Sequence, residues 1–182
     1  MSRWLRWHDR KRLAAFSHET EAIARAVGPP GGERLLDVGG GTGVMSERFG
    51  GGFREVVVLE PNEKKRRFGQ SVRPHVRFVG GTAERIALPD AQVDCVTATF
   101  SFHHFRDRKA ALSEIHRVLR DGGRLVVFEF SKSHGAGRLL RWLPLHHGLI
   151  DALELAREAE AAGFVKSNSV DLGSGYLFTA VK

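Results

Sequence analysis

The chain has 182 residues, of which 42% are hydrophobic and 27% are charged, as is typical of one soluble globular domain. No apolar run approaches the roughly 18 residues of a membrane span, and no apolar signal-peptide core follows the cationic first residues. The single cysteine, Cys95, excludes an intramolecular disulfide and argues against a zinc-finger module. We therefore expect a cytoplasmic protein.

The net charge of +7 raises the question of an anionic partner. The cations gather in two short stretches, Arg3 to Arg12 and Lys64 to Arg67, and otherwise stand singly. A surplus spread in this way is typical of solvated surface and indicates only non-specific attraction. Nucleic acid is therefore an unlikely partner.

Residues 1–30 are predicted to form an N-terminal helical arm. Leu13, Phe16, Ile23 and Val27 recur at helical spacing, and the glycines and prolines of residues 28–32 end the pattern. Two interpretations are open: the arm either covers an edge of the sheet or folds over a ligand.

Strands and helices then alternate along the chain, which predicts an open parallel α/β sheet. The predicted strands are Arg34–Val38, Glu55–Leu59, Val76–Val79, Val93–Ala98 and Arg124–Phe130, with helices at 44–49, 63–70 and 109–120. A further helix begins at Asp151 and runs to about Ala162, since Asp151 and Glu154 resemble a capping box. Two last strands, 164–170 and 177–181, form a hairpin that departs from a purely parallel sheet.

The first predicted strand ends in a glycine loop that begins a helix. Such a loop lets the backbone approach a nucleotide-like ligand closely. The loop follows the pattern Asp37, Gly39, Gly41, Gly43. When the dinucleotide fingerprint Gly-x-Gly-x-x-Gly/Ala is started from Gly39 and Gly41, its third glycine position falls on Val44. The spacing therefore disfavours a nicotinamide or flavin site.

Glu60 ends the second predicted strand, 21 positions after Gly39. In a Rossmann-like unit an acid at this place accepts hydrogen bonds from ribose hydroxyls. The alternative, a carboxylate that only favours the N-terminus of the next helix, explains Glu60 alone but not its spacing from the loop.

Four blocks in this order resemble the class I S-adenosylmethionine (SAM)-dependent methyltransferases, including the ubiquinone and menaquinone biosynthesis C-methyltransferases. They are Leu35–Gly43, Val58–Asn62, Gly81–Glu84 (with Leu88–Asp90 and Val93–Asp94 after it) and Leu112–Gly123. The resemblance implies one methyltransferase domain over residues 1–182. It also implies a Rossmann-like three-layer sandwich, whose seven-stranded, mostly parallel sheet has an antiparallel C-terminal hairpin strand.

The resemblance further implies SAM as cofactor, with S-adenosylhomocysteine as product. Glycines would approach its amino-acid part, Asp37 would shape the loop, and Glu60 would hold the ribose. Thr82 stands where the family often has Asp, so either its hydroxyl or the backbone at Ala83 would meet the adenine. The expected cofactor-binding residues are Asp37, Gly39, Gly40, Gly41, Gly43, Glu60, Pro61, Thr82, Ala83, Glu84, Thr99 and Phe100.

The stretch after the fourth strand contains His103 and His104, at the rim of the family's methyl-transfer site. A histidine can take a proton from an acceptor. Alternatively, both histidines orient the loop without acid–base work, because methyl transfer depends largely on positioning. No metal is expected, since adjacent residues rarely point the same way.

Residues 131–150 are expected to form a short, lid-like insert. Its apolar and basic segment 138–150 either closes over a partly apolar acceptor or packs on the sheet or on a second subunit. Trp142 and the arginines would suit a membrane surface, but Pro144 interrupts a long amphipathic helix. Peripheral membrane contact, and the choice between monomer and homodimer, are left open.

The sequence thus favours a SAM-dependent methyltransferase with a small-molecule acceptor. A non-catalytic SAM-binding regulatory or assembly protein and an RNA methyltransferase are the alternatives. An amino-methylating DNA enzyme is disfavoured, because no Asn-Pro-Pro-Tyr-type motif follows the fourth strand. Cytosine C5 methylation is also disfavoured, because Cys95 lies within a predicted strand.

Overall fold

The computed structural model describes residues 2–28, 32–130 and 150–182. The helices are α1 (Ser2–Ala15), α2 (Ser17–Val27), α3 (Val44–Phe49), α4 (Glu63–Val72), α5 (Arg108–Val118) and α6 (Ala152–Ala161), with a 3₁₀ turn at Phe102–His104. The strands are β1 (Gly32–Val38), β2 (Phe53–Leu59), β3 (Arg77–Val79), β4 (Val93–Thr99), β5 (Leu119–Phe130), β6 (Val165–Asp171) and β7 (Gly175–Val181). In this described part of the chain, no helix is long and apolar enough to cross a bilayer.

All seven strands belong to one sheet, in the order β3-β2-β1-β4-β5-β7-β6. The first five pair in parallel, whereas β7 runs antiparallel to both β5 and β6. The predicted Rossmann-like class, with its antiparallel C-terminal hairpin, is confirmed. This order brings the carboxyl ends of the central strands β1, β2 and β4 to one edge of the sheet.

Both faces of the sheet are covered, so the central strands are buried towards their carboxyl ends and mostly apolar there. Successive residues alternate between two cores: Leu36 and Val57 pack towards α5 and α6, whereas Leu35 and Val58 pack towards α2 and α3. Every residue of β4 is buried. This double burial fixes the register of the strands and hence the positions of the loops that follow them.

Several boundaries differ from the sequence expectation, and β5 begins five residues earlier, at Leu119 rather than Arg124. The N-terminal stretch contains two helices, separated at Phe16. Helix α5 ends at Val118 rather than Arg120, because Leu119 pairs with Val93 in the β4–β5 ladder. Strand β7 begins at Gly175 rather than Leu177, since its ladder with β5 reaches Phe130.

The division of the chain into one domain with an arm and an insert stays a prediction. The lid-like insert falls almost wholly on residues 131–149, which lie outside the described residues.

Candidate functional site

The predicted glycine loop, residues 39–43, lies at the carboxyl end of β1, beside the ends of β2 and β4. The Gly39 N–H donates to the Leu59 carbonyl (2.7 Å), and Ser101 Oγ donates to the Val38 carbonyl (2.7 Å). These contacts join the loops after β1, β2 and β4 into one site.

The loop glycines serve different purposes. Gly41 and Gly43 both have positive φ values, of +64° and +77°. A Cβ on Gly43 would lie 2.7 Å from the Phe78 ring, whereas one on Gly41 would meet only the Lys65 side chain, at 4.0 Å. Packing within the protein therefore explains Gly43. Gly41 is also buried, but only a flexible lysine side chain lies near its Cβ position, so the space beside its backbone can admit a ligand.

Asp37 supports the loop from below. Its carboxylate is fully buried and accepts hydrogen bonds from Thr97 Oγ1 (2.9 Å) and Ser46 Oγ. Burial raises the pKa of Asp37 to about 6, although both hydrogen bonds oppose this shift. Its Oδ2 would lie 2.5 Å from a Cβ on Gly40, so the carboxylate and the loop are in close contact.

Glu60, at the end of β2, reaches back to the glycine loop. Its carboxylate is 5% exposed and accepts from the backbone N–H groups of Gly41 (3.0 Å) and Asn62 (2.9 Å). A carboxylate oxygen has room for a second donor, so these bonds leave Glu60 able to accept from a ligand hydroxyl. Pro61 beside it is exposed, and its carbonyl accepts from Arg66 (2.8 Å).

The expected adenine-side residues follow β3. Ala83 is buried in the core, and Thr82 pairs with Arg85 in an isolated bridge. Burial acts to raise the pKa of Glu84, but hydrogen bonds from the Thr82 side chain and from backbone N–H groups outweigh it and lower that pKa. Glu84 Oε1 accepts from the Arg106 N–H at 2.8 Å, so its side chain ties this block to the loop after β4.

Thr99 ends β4, and Phe100 follows it; both are unusual. Thr99 is 3% exposed, and within the described ranges its hydroxyl has no hydrogen-bond partner. Phe100 has a φ of +55°, a strained value for a residue with a side chain. Such strain and unsatisfied polar groups are concentrated at functional sites. The ring centroids of Phe16 and Phe130 lie 4.5 and 5.1 Å from that of Phe100, and the three rings form an apolar surface there.

His103 pairs with a buried carboxylate that the sequence analysis missed. His103 Nδ1 donates to Glu129 Oε2 (2.8 Å), and the His103 backbone N–H donates to the same oxygen (3.0 Å). Glu129 is fully buried, and the His103 side chain is 10% exposed. The available signal was an acid at the carboxyl end of the apolar strand β5. With Nδ1 held as a donor, Nε2 is the nitrogen that can accept a proton.

His104 lies against His103, with 3.9 Å between the ring centroids. Burial lowers the pKa of His104, and the neighbouring His103 and Lys65 lower it further. A neutral imidazole is therefore favoured at position 104. No group of three His, Cys, Asp or Glu side chains suited to a metal occurs in the part of the chain that the structure describes.

Helix α1 covers the glycine loop through a buried polar network that sequence reasoning also missed. Thr42 Oγ1 donates to Asp9 Oδ1 (2.6 Å), and Asp9 pairs with Arg73 (3.1 Å). Arg73 also pairs with Glu47 (2.8 Å) and donates to the Thr42 carbonyl (3.2 Å). In the sequence, the only indication of this network is Asp9 itself, a lone acid within the basic stretch of α1. The arm therefore contacts the glycine loop, and the choice between its two interpretations stays open.

Comparison with known proteins gives a consistent assignment. Residues 36–127, just over half of the chain, match the family described as "Methyltransferase domain". Demethylmenaquinone methyltransferase of Renibacterium salmoninarum is 38% identical over 109 residues, which cover 60% of this chain and 46% of that protein. The chain thus aligns with less than half the length of this relative.

Two solved structures share the fold. A SAM-dependent methyltransferase from Thermotoga maritima, titled a possible histamine N-methyltransferase, has a TM-score of 0.79 at 20% identity, over 100% of this chain and 97% of the other. Phosphoethanolamine N-methyltransferase 2 of Haemonchus contortus, in complex with SAM, has a TM-score of 0.73 at 16% identity. The match covers 91% of this chain and 52% of the other. The expected family is confirmed: the chain belongs to the methyltransferase-domain family.

Proposed function

We propose that this protein is a SAM-dependent methyltransferase that acts on a small, partly apolar acceptor. The observation that carries the proposal is the pair formed by His103, in the turn after β4, and the buried Glu129. A cofactor-binding protein without catalysis has no evident need for a histidine whose tautomer is fixed by a buried carboxylate. Family membership supports the methyl donor.

The residues at the carboxyl edge fit SAM. The open backbone at Gly41 leaves room for the cofactor's amino-acid part, and Glu60 retains the capacity to accept from ribose hydroxyls. The unpartnered Thr99 hydroxyl offers a further polar contact. These three features supply the polar recognition, and the other loop glycines and Asp37 maintain the loop's shape.

When bound, SAM supplies an electrophilic methyl group on a sulfonium. The protein would contribute orientation and proton transfer. His103 Nε2 would accept the acceptor's proton, while Glu129 holds the ring and stabilises its protonated form. His104 would line the rim rather than act as the base, since its pKa is lowered and, among the residues that the structure describes, no carboxylate hydrogen-bonds to its ring.

An aromatic alcohol or hydroquinone is the acceptor class that we favour. The named substrate of the Renibacterium relative is demethylmenaquinone, although this chain spans only 46% of that protein. In its reduced form such a ring becomes a carbon or oxygen nucleophile once a hydroxyl loses its proton. The apolar surface of Phe16, Phe100 and Phe130 suits an aromatic ring.

The test is turnover with a defined acceptor panel. The protein is incubated with SAM and reduced naphthoquinones, and S-adenosylhomocysteine is quantified. We expect turnover that falls roughly 100-fold or more in His103→Gln, the scale of a lost general base. His18→Gln, on the exposed surface of α2, is the control and should match the wild type.

The alternatives predict different results. A regulatory or assembly protein would bind S-adenosylhomocysteine without turnover on the panel or on a cell extract. An RNA methyltransferase, which the net charge of +7 would favour, would bind RNA tightly with a steep loss of affinity as salt rises. Turnover that is unaffected by His103→Gln would refute the assigned base.

A further inference from the structure

Arg12 differs from the other cations of helix α1. Arg3, Arg6, Arg10 and Lys11 are exposed, whereas Arg12 is partly buried. Its guanidinium carbon lies 4.7 Å from the centroid of the Phe100 ring. Phe100 is the strained residue at the carboxyl end of β4, so Arg12 lies where the loops of the site meet.

The surrounding carboxylates attract Arg12 but already have other donors. Asp37, Asp9 and Glu129 contribute favourable charge, in that order. Asp37 accepts from two hydroxyls, Asp9 accepts from Thr42 and pairs with another arginine, and Glu129 accepts from the backbone and ring of a histidine. In residues 2–28, 32–130 and 150–182, no hydrogen bond or ion pair of the Arg12 guanidinium occurs.

Without a ligand, the partial burial of the Arg12 guanidinium has an unfavourable free energy. Burial lowers the pKa of Arg12, and the three acids offset that only in part. A guanidinium nevertheless stays protonated in proteins, so the charge persists. A desolvated cation with free donors and only an aromatic face against it is stabilised when an anion enters. Planar guanidinium forks match carboxylates in particular.

We propose that Arg12 binds a ligand carboxylate at this edge of the sheet, namely the α-carboxylate of SAM. The identity of that ligand rests on the function proposed above. Asp9, three residues earlier on α1, bonds to Thr42 of the glycine loop and so fixes the helix against the loop that receives the cofactor's amino-acid part. An anionic group on the acceptor has the same chemistry and is the other source.

Calorimetry with two probes separates these sources. S-adenosylhomocysteine carries the carboxylate, whereas 5′-methylthioadenosine lacks the amino-acid part. We expect Arg12→Gln to weaken S-adenosylhomocysteine binding by roughly 10- to 100-fold, the scale of a charge-assisted hydrogen bond. Binding of 5′-methylthioadenosine should be unchanged. Arg10→Gln makes the same charge change on the exposed face of α1 and should affect neither probe.

Benzoate, titrated into protein saturated with S-adenosylhomocysteine, tests the acceptor as the source. If Arg12→Gln abolishes benzoate binding but leaves the affinity for S-adenosylhomocysteine unchanged, Arg12 binds a carboxylate of the acceptor and not that of the cofactor. Arg12→Gln that leaves all three affinities at wild-type values would overturn the proposal. If the wild type binds neither adenosine probe, the proposed function itself fails. Matching unfolding temperatures of the two variants exclude a folding defect.

Discussion

Neutralising Asp9 should destabilise the protein by about 2–3 kcal/mol. Asp9 is 6% exposed and Arg73 is 7% exposed, so Asp9→Asn leaves a buried cation with less compensation. Breaking a buried pair costs about 3–5 kcal/mol. We expect a smaller loss, about 2–3 kcal/mol, because Arg73 keeps Glu47 at 2.8 Å and the Thr42 carbonyl at 3.2 Å, and asparagine can still accept from Thr42.

Urea unfolding at constant pH and salt measures this change. The matched control is Glu21→Gln, which removes an exposed pair with Arg25 whose side chains are 74% and 70% accessible. Such exposed pairs contribute about 0.5 kcal/mol or less. Asp9→Asn that unfolds within about 0.5 kcal/mol of the wild type, like the control, would refute the role of this network in holding α1 on the loop.

The other predictions concern the site. Glu129→Gln should lower kcat with little change in KM, because the His103 ring loses the carboxylate that orients it; an unchanged kcat, or a rise in KM alone, would argue against this positioning role. Burial raises the pKa of Asp37 from 3.8 to about 6. Its ionisation therefore lowers the free energy of unfolding as pH rises from about 4 to above 6, by about 3 kcal/mol in all, and this loss disappears as pH falls towards 4. Relative to the wild type, Asp37→Asn should therefore gain about 2.5 kcal/mol of unfolding free energy between pH 4 and pH 7; a flat difference between their urea-unfolding curves would contradict this. Gly43→Ala should lose more stability than Gly41→Ala, because both adopt positive φ at a cost of about 1–2 kcal/mol but only the former places a Cβ against a ring. Gly41→Ala should chiefly weaken S-adenosylhomocysteine binding in calorimetry, and equal stability losses would refute the distinction.

Local patterns predicted the parts of the site that depend on neighbouring residues. The break from an apolar strand into Gly39–Gly43, and the acid at Glu60, follow from what a βαβ unit needs at its first turn. Strand burial followed from runs such as Val56–Leu59. The antiparallel hairpin was visible in the pattern, but its place beside β5 came from the family resemblance.

Long-range contacts could not be predicted in the same way. Glu129 meets His103 across 26 positions, and Asp9 meets Thr42 across 33, so only the folded sheet brings them together. The end of α5 was also misplaced, because Leu119 continues the helical spacing yet gains a ladder partner in Val93. Tertiary pairing overrides local periodicity there.

The central claim is that the glycine loop and Glu60 receive SAM, and titration calorimetry tests it most directly. S-adenosylhomocysteine and NADH are titrated separately into the wild type and into Glu60→Ala. The account predicts that S-adenosylhomocysteine binds the wild type, that its affinity falls in Glu60→Ala as ribose contacts are lost, and that NADH does not bind. Binding of NADH without binding of S-adenosylhomocysteine would contradict the account.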